Sequence, residues 1–187
     1  MSSKFDLTKY LEKIDDIIKN ILKKSVKNKL TYDILDTKKT IKYKIISLKE
    51  KQRLMKIGLI WQEVLGNYDK YEDLGIGHET GLDIISRSKK IVIELKNRTN
   101  TDNASSKKAN LDKLAKFKKL HPEYTCIYGN INDTTELKTD MGNIKDIIHD
   151  GVEIKHYIGM ALIRMILEEN TDLIINFMKE CIDKYLD

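Results

Sequence analysis

Apolar residues between positions 5 and 30 recur at helical spacing, with Leu7, Leu11, Ile14, Ile17, Ile18, Ile21 and Leu22 on one face. This predicts an amphipathic helix. Residues 31–46 place β-branched and aromatic residues between lysine pairs, which predicts a short hairpin or an irregular arm. A helix resumes over 47–66, with Ser47 as N-cap, Glu50 three residues on and Gly66 as its stop. Its second half carries Leu59, Ile60, Trp61, Val64 and Leu65 and is expected to be buried. Glycines at 75, 77 and 81 mark a loop. Two branched apolar runs follow, 82–86 and 91–96, separated by the polar turn Arg87-Ser-Lys-Lys90, and they read as a β-hairpin. Residues 97–106 form a wholly polar loop, and 107–120 a basic helix closed by His121-Pro122. A buried strand over 124–132, a short strand over 152–157 and one or two amphipathic helices over 158–186 complete the chain. Helices alternating with strands in this order predict an α/β sandwich around a central mixed β-sheet.

The chain has 187 residues, enough for one domain with a single core and too few for two independent ones. Within it, 1–50 is an N-terminal helical and basic part, 51–160 the catalytic core and 161–187 the C-terminal helices. No run approaches the length of an apolar membrane span, and the first residues lack the basic-then-apolar order of a secretory signal. Cys126 and Cys181 are far apart and form no metal-binding cluster. A reduced, cytoplasmic protein without structural zinc is the expectation, with both thiols inert. Trp61 and Phe117 are read as core rather than as stacking platforms.

The net charge of +5 conceals a segregated pattern. Residues 19–56 hold 13 Lys/Arg against 3 Asp/Glu, and residues 86–120 hold 11 against 3. Between them, 57–85 holds 1 base and 6 acids. Solvated lysine-rich faces explain basic blocks, and so does neutralisation of phosphates. Neither explains the acidic island between them.

Asp83 and Glu94 supply an explanation. Side chains alternate along a strand, so Glu94 and Lys96 point the same way. A hairpin loop of even length sets Asp83 directly across from Glu94, with Lys96 one step along. Two facing carboxylates repel each other unless something positive lies between them. A hard divalent cation such as Mg²⁺ suits that place, and Mg²⁺ takes one or two carboxylates together with water and phosphate oxygens. Lys96 can then orient a nucleophile and stabilise charge on the reacting phosphate. Glu94 also interrupts the apolar run Ile91-Val92-Ile93, where a purely structural strand favours another apolar residue.

Gly81-Leu-Asp83, the hairpin and Ile93-Glu94-Leu-Lys96 resemble the signature of the PD-(D/E)xK nuclease superfamily, with Gly81-Leu82 standing where the signature has its proline. The resemblance implies a restriction-endonuclease-like fold, metal binding by Asp83 and Glu94, and Lys96 as the catalytic lysine. It also implies a glutamate from a preceding helix, a place that Glu63 occupies as a third metal ligand. The stretch from Glu94-Leu-Lys-Asn to Ser106 is similar to the segment after the catalytic strand in type II restriction endonucleases that cut GGNCC-like sites. This likeness continues through 124–132 and 151–154 and covers about half the chain, while residues 1–50 show none.

In the polar loop, Asn97, Arg98, Asn100 and Asn103 are candidates for reading base edges. Thr99, Thr101, Ser105 and Ser106 are candidates for holding phosphates, with a serine capping the next helix as the plainer reading. Lys107 and Lys108, with Lys113, Lys116, Lys118 and Lys119, are expected to add nonspecific phosphate contacts. His78 lies near the acidic pair and is read as solvent-facing.

These readings lead to a Mg²⁺-dependent type II restriction endonuclease, with Mn²⁺ able to substitute. It would act on double-stranded DNA as a homodimer, alongside a cognate methyltransferase. A structure-specific nuclease of the same fold and a catalytically silent DNA-binding module are the alternatives.

Overall fold

The computed structural model describes residues 5–24, 30–75, 77–98, 103–132 and 143–186. Helix α1 (Leu7–Lys23) is capped by the Asp6 carboxylate, which accepts the backbone N–H of Lys9. Helix α2 (Lys38–Gly66) is much longer than its predicted counterpart. Thr37 caps it in a reciprocal box with Thr40, so Ser47 lies mid-helix and residues 38–46 are neither hairpin nor arm. Ile41, Ile45 and Leu48 follow helical spacing, and this overrides the β propensity of individual residues. Residues 30–37 are irregular.

Strands β1 (Glu72–Asp73), β2 (Ile84–Ser86) and β3 (Ile91–Arg98) come next, then helix α3 (Ala104–Leu120) and strand β4 (Thr125–Asn132). Strands β5 (Asn143–His149) and β6 (Val152–Ile158), and helices α4 (Met160–Leu167) and α5 (Thr171–Tyr185), finish the described chain. Strand β5 was not anticipated. Its signal was the dipeptide Asp150-Gly151, where φ is +49° and +76°. That is the two-residue turn that joins His149 to Val152 across an antiparallel pair.

The six strands form one mixed sheet in the order β1-β2-β3-β4-β6-β5. Strands β3, β4 and β6 run parallel at its centre, and antiparallel strands flank them. Alternation along β3 divides the core. Ile93 and Leu95 pack with Ile127 and Ile131 of β4 against α1, α2, α4 and α5. Val92 packs with Cys126 and Tyr128 against Leu111, Leu114 and Phe117 of α3. The fold is therefore a restriction-endonuclease-like α/β sandwich, with four helices on one face and α3 on the other. Trp61 packs at the border of the first core and Phe117 is buried in the second. No helix among the described residues is long and apolar enough to cross a membrane.

Candidate active site

The register of the hairpin follows from its four-residue loop. Ser86 pairs with Ile91 and Ile84 with Ile93, which brings Asp83, the next residue, to the end of the ladder near Glu94. Asp83 lies just outside β2 but stays within the hydrogen-bond ladder. Its N–H donates to the Ile93 carbonyl at 3.1 Å, and its own carbonyl accepts the Leu74 N–H at 2.9 Å. Its carboxylate Oδ2 accepts the backbone N–H of Leu95 at 2.7 Å. Gly81 turns the chain into this arrangement at φ +63°, a conformation that side chains resist.

Glu94 is 1% exposed, an extreme burial for a carboxylate. Its Oε1 accepts from Lys96 Nζ at 2.6 Å and lies 3.9 Å from Lys113 Nζ. Its Oε2 is buried without a hydrogen-bond partner. Burial is the main reason that the Glu94 carboxyl is held above the usual carboxylate range. The Asp83 charge adds to this, and Lys96 and Lys113 oppose it. Asp83 is likewise held high by burial, against the pull of the Leu95 N–H, Lys96 and Lys113. Two acids are thus kept close together at a cost that a cation between them would remove.

The sequence groups Lys113 with phosphate-binding lysines, yet its Nζ donates to the Gly81 carbonyl at 3.1 Å and to Asn110 Oδ1 at 3.2 Å. From α3 it ties the turn before Asp83 to the face that carries Glu94. Nothing local in the sequence reports this contact, because 32 residues separate Lys113 from Gly81.

The polar row continues across the sheet. Glu94 pairs with Tyr128, and Tyr128 with His156. His156 Nε2 lies 2.6 Å from the Asn130 Oδ1, and Asn130 is buried. Tyr128 and Asn130 alternate with Ile127 and Ile131 just as Glu94 and Lys96 alternate with Ile93 and Leu95. That alternation was the available sign that β4 has one polar face.

The remaining candidates scatter. Glu63 lies half-buried on α2, where its carboxyl is pushed up by burial and by the Asp73 charge, with Lys24 and Lys13 opposing. Asp73 in turn accepts from Gln62 Nε2 at 2.9 Å and raises the Asp83 carboxyl. Among the described residues no three His, Cys, Asp or Glu side chains form a metal-binding group, so Glu63 is not gathered with Asp83 and Glu94. Asn97 and Arg98 belong to β3 rather than to a loop. The Asn97 amide donates to the Leu54 carbonyl at 3.2 Å and accepts from Asn132 at 2.8 Å, which ties β3 to α2. Asn103, and no serine, caps α3 by accepting the Ser106 N–H at 2.8 Å. Ser105 and Ser106 lie exposed in the first turn, with Lys107 and Lys108 beyond them. Lys107 Nζ stands 5.9 Å from the Tyr128 ring centre. Thr99, Asn100 and Thr101 lie outside the described residues. The His78 ring is not simply solvent-facing: its Nδ1 lies 2.9 Å from the Thr80 hydroxyl.

The donor chemistry fits a hard divalent cation, with two carboxylates on one face, one oxygen unpartnered and a lysine alongside. The family model of the Eco47II restriction endonuclease matches residues 1–156. The chain belongs to that family. It is therefore a type II restriction endonuclease-like nuclease and binds DNA. The match covers the N-terminal helices, for which the sequence alone offers no resemblance, so they are part of what this family shares. No curated protein shows significant similarity to the chain.

Proposed function

We propose that this Eco47II-family nuclease is a Mg²⁺-dependent enzyme of the PD-(D/E)xK type. In this reading Asp83 and Glu94 hold the cation and Lys96 is the catalytic lysine. The observation that carries it is the buried Glu94 carboxylate, whose Oε2 has no partner and whose Oε1 contacts Lys96 at 2.6 Å. Such a group is costly to bury for structure alone, by about 1–3 kcal/mol for the unsatisfied atom. A bound cation would neutralise the facing carboxylates and polarise the scissile phosphodiester.

The chain's own residues supply the rest. Asp83 is anchored by the Leu95 N–H, so its position is set before any ligand arrives. Lys96 orients the attacking water and stabilises negative charge on the phosphoryl oxygens as the water oxygen–phosphorus bond forms and the ester P–O bond breaks. The Asp73 charge raises both the Glu63 and the Asp83 carboxyl, and the two-carboxylate set does not require Glu63.

The reading extends to a short specific site in double-stranded DNA, of the GGNCC-like kind, cut by a homodimer. A two-fold protein pair reads a palindrome by placing one subunit on each half. Mn²⁺ is expected to replace Mg²⁺, and a cognate methyltransferase to protect the host site. Incubation of the protein with a long plasmid and Mg²⁺ tests this directly. Discrete fragments are expected. Smearing or cutting only at junctions would replace it with a structure-specific nuclease, and no cutting with a silent binding module.

A further inference from the structure

The side of the sheet that carries Glu94 and Lys96 changes character along its strands. Toward the starts of the parallel strands β3, β4 and β6 it is apolar, with Val92, Cys126 and Ile154 in one core beneath α3. Toward their carboxyl ends it turns polar. Glu94 stands beside Tyr128 and Tyr128 beside His156, and one step on Lys96 stands beside Asn130. In open α/β sheets the carboxyl ends of the strands are where ligands bind.

Asn130 is the least expected member of this row, being only 2% exposed. Burying an amide costs free energy unless its groups are hydrogen-bonded, and an apolar residue would close this face as Val92 and Ile154 do. The Asn130 Oδ1 accepts hydrogen bonds and cannot donate, so the His156 Nε2 at 2.6 Å carries the proton between them. The His156 ring also packs against Tyr128, with ring centres 5.2 Å apart and planes tilted by 53°. His156 is thus held in place, and it holds the Asn130 amide with its oxygen toward β6. On the other side of β4 lies β3, with Lys96.

We propose that the Asn130 amide N–H2 donates to the phosphoryl oxygens beside the Lys96 ammonium, and that His156 keeps the amide turned for this. Asn130 touches the substrate, and His156 is a positioning residue that acts through it. A neutral donor suits the place, because it meets charge developing on the phosphoryl group without repelling Lys96. The proposal rests on the reading of Asp83, Glu94 and Lys96 as a nuclease site and adds two residues to it.

Single-turnover cleavage of a long plasmid with Mg²⁺ tests it, together with thermal melting and duplex binding in EDTA. Asn130→Ala should cut about 100–1,000-fold more slowly, the usual cost of losing one donor to a developing negative charge, with duplex affinity unchanged. His156→Phe keeps a ring against Tyr128 but removes the donor, and should slow cleavage about 10–100-fold. His156→Gln, which restores an N–H, should recover most of that loss. The double variant Asn130→Ala/His156→Phe should cut no more slowly than Asn130→Ala alone, since His156 acts only through Asn130. If Asn130→Ala folds and cuts at the parental rate, the assignment fails while the nuclease reading stands. It fails likewise if the double variant loses the product of the two single losses. Should Asn130→Ala not fold, equal rates for His156→Phe and His156→Gln overturn the proposal, and the predicted difference upholds it. A parent protein that cuts no DNA overturns the nuclease reading and this assignment together.

Discussion

The Asp83 carboxylate accepts the Leu95 backbone N–H at 2.7 Å across the hairpin, so the residue that repels Glu94 is bonded to the residue directly after it. One oxygen thereby serves the fold, and in the proposed mechanism the charge serves the chemistry. The two roles are separable by mutation. Asp83→Asn keeps an acceptor for Leu95 and removes the charge, so cleavage should be lost with little change in melting temperature. Asp83→Ala should lose cleavage as well and should cost about 1–3 kcal/mol, because the Leu95 N–H is left buried and unpaired. Plasmid cleavage and thermal melting of the two variants check this. Wild-type cutting by Asp83→Asn would remove Asp83 from the site.

Glu94 is nearly inaccessible and one of its oxygens is unsatisfied, so a cation that binds there should stabilise the fold by mass action. Adding Mg²⁺, Mn²⁺ or Ca²⁺ should raise the melting temperature of the parent. Glu94→Gln should melt higher than the parent without metal, since the repulsion from Asp83 is gone, and should show no metal-induced rise. Differential scanning fluorimetry reads both effects. An equal rise in parent and variant would place the cation elsewhere.

Both carboxyls are held above the ordinary carboxylate range by burial, which fixes the sign of the pH dependence. An acid that is harder to ionise in the folded state binds more protons there than in the unfolded chain. Without metal, its stabilising contribution is present below the unfolded pKa and is lost as pH rises through the raised folded value. Cation binding needs the ionised forms and runs the other way. Its affinity should fall on acidification at a pH higher than free aspartate and glutamate would require. Calorimetric metal titrations across the acidic range test this. A metal affinity that held constant down to the ordinary carboxylate range would contradict it.

Lys113 reaches Glu94 and the Gly81 carbonyl from α3, so its removal should disturb the site more than it disturbs DNA affinity. Lys113→Met should slow cleavage about 10–100-fold, the usual cost of losing a residue that supports a metal ligand. It should leave the salt dependence of binding close to the parent's. Lys113→Arg should recover part of the rate. A fall in the salt slope by a full unit, with cleavage intact at saturating DNA, would return Lys113 to the phosphate-binding group.

Two segments depart from the sequence expectation for opposite reasons. Single residues in 38–46, Tyr43, Ile45 and Ile46 among them, favour strand, whereas the capping pair Thr37 and Thr40 starts a helix there. Strand β5 had an equally local sign in Asp150-Gly151, but it is exposed on most of its length and lacks the apolar run that marks a buried strand. For Asn97 the difficulty was of another kind. An amide in a polar stretch looks available for bases, and only the approach of α2 and β4 shows that it binds Leu54 and Asn132.

What the sequence by itself determined is the hairpin, whose register runs to Ile84 with Ile93 and so brings Asp83 near Glu94, and the contact of Glu94 with Lys96 on one face of β3. Strand alternation and the parity of a short turn are local rules, so counting residues sufficed. Tertiary structure alone decided that Lys113 reaches Glu94 and the Gly81 carbonyl, that the Asp73 charge acts on Glu63 and Asp83, and that Tyr128, Asn130 and His156 extend the polar row. These contacts join residues distant in the chain. Their geometry is set by how α2 and α3 pack on the two faces of the sheet, and no local pattern encodes it.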